Sequence, residues 1–331
     1  MGVWFNEVFA AIGSAFSNPE FYFMIIQSAA PILLAALGCA VAQKASATNM
    51  GMEGIMTFTA LVAVLVSSAV GATAGGPWVG LIAAMIVGSL LGYLVSVFAY
   101  RLKIDITLVG IALNLIATGA AVYLMYTLTG DRATTTSLTS GNLPKVFIPG
   151  LNDIPVIGKI FSGHYILTYA SYVLVFVLSF FIFKTKTGLR IRAVGENPNA
   201  AESVGISSLK IKTISLTLSG LFGGIAGAYM STCYLALFSS GLIAGRGFVG
   251  LAACMMGSAN PGIVCLCCLA FGVFYAFSNF AQHFELSIYA LGAVPYVVVL
   301  IGVVLYAVYV RKKEQKRLKG LDSEEKTERA A

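Results

Sequence analysis

Charge is scarce in this chain. Asp, Glu, Lys and Arg make up 11% of its 331 residues, against about a quarter in an ordinary soluble domain. With 58% hydrophobic residues and a mean hydropathy of +0.87, a soluble globule of this length is excluded, because too much apolar surface would face water. No Gly-x-x-x-x-Gly-Lys-Ser/Thr segment occurs, so the chain has no phosphate-cradling loop for ATP. No Ser/His/Asp, His-Glu-x-x-His or paired-Asp constellation falls in an apolar stretch, and the chain is read as a non-enzyme without cofactor or metal. Basic residues are missing from the first twenty positions, which hold Glu7 and Glu20, so no cleavable leader is expected. The six cysteines, Cys39, Cys233, Cys254, Cys265, Cys267 and Cys268, lie in apolar stretches and read as small core residues.

What is present is a series of long apolar runs. Only helix bundles and closed barrels satisfy the backbone in lipid, and uninterrupted runs favour helices. Nine candidate spans lie near 22–42, 55–74, 78–100, 104–128, 165–183, 213–235, 243–259, 261–281 and 288–310. The seventh is short enough to be a broken or re-entrant element. The expected fold is therefore an all-α polytopic transmembrane bundle of eight to ten spans, with nine the best fit. The whole chain, 1–331, forms one membrane domain.

Lys and Arg fix the orientation. With nine spans and a cytoplasmic C-terminus, 17 of the 21 basic residues fall inside; Arg132, Lys145, Lys159 and Arg246 fall outside. The N-terminal segment 1–20 has an apolar side suited to the membrane surface. The basic tail 311–331 reads as a cytoplasmic anchor to anionic lipids, so the net charge of +7 points to the membrane and not to nucleic acid.

Two loops are long enough to carry function, 129–164 outside and 184–212 inside. In the inner loop Asn197 suits an N-cap, Pro198 the first helical position and Gly205 a left-handed stop. A two-turn helix over 198–204 follows, too short to stand without packing. It is either an ordinary linker or a docking element for a cytoplasmic partner. A weak repeat is also visible. Gly54, Gly76-Pro77, Ile106 and Gly110 are echoed by Gly247, Pro261-Gly262, Ile288 and Gly292, and the two copies run in opposite senses.

Several strings resemble one family. They are Asn49-Met-Gly-Met-Glu-Gly54, Ala112-Leu-Asn-Leu-Ile-Ala-Thr-Gly119, Gly188 to Ala201, the glycines Gly220, Gly224 and Gly227, and Ala244-Gly-Arg-Gly-Phe248. Together they resemble the ribose/branched-chain-amino-acid type of ABC permease, most closely its nucleoside and simple-sugar branch. The resemblance spans roughly 25–305, and Met50 and Met52 depart from the aliphatic residues often found there. It implies a type II importer in the bacterial cytoplasmic membrane. The implied partners are a cytoplasmic ABC ATPase, a second homologous permease chain and an extracellular solute-binding lipoprotein, with membrane lipids around them. It also implies that Gly195, Glu196, Asn197, Pro198, Ala200 and Ala201 form the coupling element to the ATPase. The expected cargo is a nucleoside or simple sugar. The alternatives are an amino acid in the same architecture, or an ion-coupled secondary transporter, for which no acid is placed at mid-depth.

The remaining candidates carry two readings each. Glu53, placed near a membrane edge, either caps the helix that starts at Ile55 or serves the substrate pathway. Asn49 shares that choice. Asn114, near the middle of its span, either touches substrate or pins a neighbouring helix. Gly220, Gly223, Gly224 and Gly227 read as close helix packing. Arg246, near the outer face, meets either the binding protein or lipid headgroups. His164 and His283 are isolated and read as interfacial.

Overall fold

The computed structural model describes residues 13–14, 16–71, 75–138, 140–149, 157–281, 296–304, 306, 308 and 311–312. Among these residues the fold is helical with two isolated bridges and no strand. The N-terminal segment 1–20 is described only at 13–14 and from 16 onward. Of the tail 311–331 only 311 and 312 are described, and His283 lies outside the described residues.

Seven helices are long and apolar enough to cross a membrane. They are α1 (Pro19–Lys44), α2 (Met52–Val70), α3 (Gly76–Ser96, extended by a π turn to Arg101), α4 (Ile106–Thr129), α6 (Ile166–Lys184), α9 (Ser208–Tyr229, extended by a π turn to Tyr234) and α11 (Pro261–Ala281). Shorter helices are α5 (Ile157–Phe161), α7 (Lys186–Glu196), α8 (Pro198–Ser203) and α10 (Arg246–Met256). The expectation of nine spans is thus corrected to seven among the described residues. The candidate over 243–259 is α10, only 11 residues long, or about 16 Å, half a bilayer core. The ninth, 288–310, is helical over 296–304, and residues 282–295 lie outside the described set.

Helix α1 is the axis. Every residue from Ser28 to Ala42 is buried, as suits a helix apolar on all sides, and α9, α10, α11 and α6 pack around it. Asn18 caps its start, accepting from the Glu20 amide at 3.0 Å, and Lys44 closes its last turn. The outer helices α3, α4 and α6 present Ile86, Leu90, Leu115, Ile116, Phe176 and Phe180 outward, a surface that lipid must solvate.

Glycine sets the inner packing. Helices α3 and α9 cross with Gly88 and Gly92 against Gly220, and Gly224 against Ala84, so closely that a Cβ on Gly220 or Gly224 would collide with backbone. On the other side of α9, Gly223 faces Met52 and Ile55, and Gly227 faces Met56 and Thr59 of α2. Small residues permit such approach, which is how helices associate where water gives no driving force.

These contacts set depth. Gly223 stands about 22 Å along α9 from Ser208, so α2 begins deep within the bundle. After Lys44 the chain turns back at Ser46, φ +53°, and climbs without helix through 45–51 to reach Met52. Helix α10 mirrors this. Its Gly250 packs on Ile32, Ala35 and Ala36, the middle of α1, and Lys44 Nζ donates to the Ser258 carbonyl just past its end at 3.0 Å. The full-length α2 and the half-helix α10 therefore both start deep within the bundle and run to opposite faces. The face bearing Lys44, Arg101, Lys103, α7 and α8 is the basic one.

Candidate translocation site at two half-helix starts

Irregular backbone at membrane depth survives only where protein groups satisfy its N–H and C=O groups. Two side chains, Asn49 and Asn114, do this for segment 49–54. Asn49 is fully buried; its Oδ1 accepts from the Gly51 amide and its Nδ2 donates to Ser219 Oγ, both at 3.0 Å. Asn114 reaches across from α4. Its Oδ1 accepts from the Gly54 amide at 2.7 Å, and its Nδ2 donates to the Met50 carbonyl at 2.9 Å. The approach is possible because Gly110 lies against Met50 and Gly51, and Gly54 against Asn114; a Cβ on Gly54 would stand 2.7 Å from Asn114 Cα.

Glu53 does something else. Its Oε1 accepts from the Gly245 amide and its Oε2 from the Gly247 amide, both at 2.8 Å. A carboxylate aimed at the first amides of α10 satisfies orphan donors and complements the positive end of the helix dipole. So the helix that Glu53 caps is α10, 192 residues further on, and not its own. Glu53 lies not near a membrane edge, as its place in the apolar pattern suggests, but deep within the bundle, because the climb through 45–51 carries Met52 inward. The glycines that the internal repeat pairs, Gly54 and Gly247, thus flank one another across the Glu53 contact: a Cβ on Gly247 would stand 2.7 Å from Glu53 Cα.

Arg246 is likewise corrected in place. It is not at the outer surface but 8% exposed, with Nη1 donating to the Leu242 and Ile243 carbonyls at 3.3 and 3.1 Å. Its guanidinium lies over the rings of Tyr275 and Tyr234, 4.9 and 5.5 Å from their centroids. In this arrangement it braces the turn into α10. Ser219, Tyr234 and Tyr275 were not singled out in the sequence, since one hydroxyl or one ring in an apolar helix gives no local signal. Gly110 was visible only through the repeat.

On the basic face, Asn197 Oδ1 accepts from the Asn199 and Ala200 amides, both at 3.1 Å, with Pro198 in the first turn of α8. The helix ends at Ser203, and Gly205 takes φ +81°, a conformation natural to glycine. Ala201 is buried among Ala45, Ala47, Ile55, Val194 and Leu113, whereas Ala200 and Glu196 are exposed and Val204 is 73% exposed. Gly195 lies so close to the Lys44 carbonyl that a Cβ would collide with it. The α7–α8 unit is thereby seated on the chain that leads to Asn49 and Glu53. On the opposite face His164 stacks on Phe23 at 3.9 Å, and burial pushes its imidazole below the ordinary histidine pKa.

Residues 21–309 match the family described as branched-chain amino acid transport system, permease component. The chain is 38% identical over 240 residues to the guanosine ABC transporter permease protein NupQ of Bacillus subtilis (strain 168), covering 70% of this chain and 73% of that one. It is 34% identical over 254 residues to the nucleoside ABC transporter permease protein NupC of Lactococcus lactis subsp. cremoris (strain MG1363), covering 76% and 79%. A putative glucose ABC transporter permease protein, TsgC13 of Haloferax volcanii, is 28% identical over 267 residues, covering 80% and 78%. No solved structure matches the chain significantly. With that family match along nearly its whole length and seven helices long and apolar enough to cross a membrane, the chain belongs to the permease components of ABC transporters and is a multi-pass plasma-membrane protein.

Proposed function

We propose that this permease moves a nucleoside inward, driven by a separate ATPase that docks on α7 and α8. The substrate class rests on the similarity to NupQ and NupC; the similarity to TsgC13 keeps a simple sugar as the second reading. The basic face is taken as cytoplasmic, by the excess of Lys and Arg there. A binding lipoprotein would then meet the opposite face, and a second permease chain would complete the path.

The observation that carries the mechanism is the Glu53 carboxylate held by the Gly245 and Gly247 amides. Half-helix starts at mid-depth are where transporters place their substrate sites, because unpaired amides and dipole ends converge there. Here Glu53 occupies those amides. We read this as one state of a gate: moving α7–α8 shifts Lys44 and segment 45–51, which carries Asn49 and Glu53, and so loosens or restores the hold on α10. Asn49, Glu53 and Asn114 are thus assigned to the pathway's frame. Gly195, Glu196, Asn197, Pro198, Ala200 and Ala201 are assigned to coupling. Transport is then a switch between two packings of the same helices.

The test is uptake of labelled guanosine, ribose and leucine by cells carrying the complete transporter. Saturable guanosine uptake that unlabelled ribose and leucine fail to inhibit supports the nucleoside reading. Ribose uptake without guanosine uptake would replace it with the sugar reading.

A further inference from the structure

A cavity of about 330 Å³ opens on the basic face between the end of α1, helix α7 and the α10–α11 turn, lined by Gln43, Lys44, Arg192, Glu196, Ser258 and Tyr306 among others. That volume exceeds a bare inorganic ion and falls in the range of small-molecule sites. We propose that this cavity binds a phosphate ester.

The groups around it are mostly donors. Lys44 Nζ uses one hydrogen on the Ser258 carbonyl, at 3.0 Å, and has two left. The Arg192 guanidinium lies 5.3 Å over the Phe183 ring, and its Nε is buried with no hydrogen-bond partner among the described residues. Gln43 Oε1 is taken by Cys254 Sγ at 3.2 Å, so its amide NH₂ remains. Ser258 Oγ and Tyr306 Oη bond each other at 3.0 Å and bring one further O–H between them. Glu196 is the one carboxylate lining the cavity, and among the described residues it forms no ion pair with either cation. A cation would meet Lys44 and Arg192; a neutral ligand would leave the Arg192 donors without a charged acceptor. A guanidinium fork and an ammonium lining one cavity are the donor types that recognise phosphate. The occupant would join α1, α7 and the turn after α10, three elements that the proposed coupling requires to move. The source is either a soluble phosphate ester or the headgroup of an inner-leaflet phospholipid, and the latter rests on the proposed orientation.

The full chain in nanodiscs of phosphatidylcholine, with both faces open to solvent, is titrated with glycerol 3-phosphate and, at matched ionic strength, with chloride. Thermal unfolding is the readout. Glycerol 3-phosphate should raise the midpoint saturably while chloride does not. Arg192→Gln and Lys44→Gln should each weaken the apparent affinity roughly tenfold. Glu196→Gln should tighten it, a gain of function that a damaged fold cannot mimic, and Lys212→Gln, whose ammonium lies over Tyr100, should leave it unchanged. In nanodiscs containing phosphatidylglycerol, a raised midpoint that no longer responds to glycerol 3-phosphate assigns the cavity to lipid; a persisting response assigns it to a soluble ester. Equal shifts with chloride, or a loss in Lys212→Gln as large as in Arg192→Gln, would overturn the site.

Discussion

The Glu53 carboxylate and the Gly247 amide meet at 2.8 Å although 194 residues separate them. The contact fastens the start of one helix to the start of another that runs the opposite way. No other side-chain carboxylate among the described residues accepts hydrogen bonds from the start of a helix so far along the chain.

Removing that carboxylate should loosen α10 without dismantling the bundle. Glu53→Ala leaves the Gly245 and Gly247 amides without their acceptor. Hydrogen bonds to a charged group contribute about 1.5–3 kcal/mol each, so losing two should lower the unfolding free energy by roughly 3–6 kcal/mol. Glu53→Gln should lose less stability, since one oxygen still accepts. Chemical denaturation in detergent measures both, and equal stability of the alanine variant and wild type would count against the clamp.

Asn114→Leu removes two bonds at one stroke. The Gly54 amide and the Met50 carbonyl both lose their partner, and an unpaired buried backbone group costs about 1–3 kcal/mol. The expected result is lower expression and greater protease sensitivity at 49–54. Thr118→Val, one turn further along α4, removes only a hydroxyl bonded to the Asn114 carbonyl and should be close to neutral.

The glycines divide into two groups by what surrounds them. Gly220→Val pushes a side chain into the α3 backbone at Gly88 and Gly92, and overpacking of this kind costs typically about 1–3 kcal/mol. Gly119→Ala on α4 meets nothing within 4 Å and should be neutral or slightly stabilising, since alanine favours helix. Melting temperatures of the two variants in one detergent decide the matter.

On the basic face, neighbouring alanines should behave differently. Ala200 is exposed and Ala201 is 4% exposed. Ala200→Trp is expected to leave a folded permease in which ATP hydrolysis no longer tracks transport. Ala201→Trp should disturb packing against Ala45 and Val194 and lower stability itself. Side-by-side assays of ATPase rate, uptake and melting temperature separate the two effects.

Acid should weaken the start of α4. Asp105 caps it, accepting from the Thr107 and Leu108 amides at 2.8 and 3.3 Å, and these bonds hold its carboxyl below the ordinary aspartate pKa. A depressed folded-state value means the cap's contribution is complete above the unfolded pKa, about 3.9, and fades as pH falls through the folded one. The stability difference between wild type and Asp105→Ala should therefore shrink below about pH 4. A difference that grows on acidification would reverse the assignment.

The membrane character, the helical class and the capped helix after Asn197 were legible because each rests on a local signal: a long apolar run, or a cap followed by proline and later glycine. The depth of Glu53 was not. An apolar run states how long a helix is, not where in the bilayer it begins, and the climb through 45–51 is set by Ser219, Gly110 and Asn114 on distant helices. For the same reason α10 read as a candidate span and Arg246 as a surface residue. With its start fastened to Glu53, the 11-residue α10 is the short, broken element that the sequence allowed for, and Arg246 is buried at its first turn. The weak repeat contained the missing information, since it paired Gly54 with Gly247.

The most direct measurement is ATP-driven uptake of labelled nucleoside into proteoliposomes holding the permease with its partner ATPase and binding protein, for wild type and Glu53→Ala side by side. The account predicts uptake in wild type and at least a tenfold loss in the variant, with the assembled complex still recovered intact. Undiminished uptake by Glu53→Ala would contradict it.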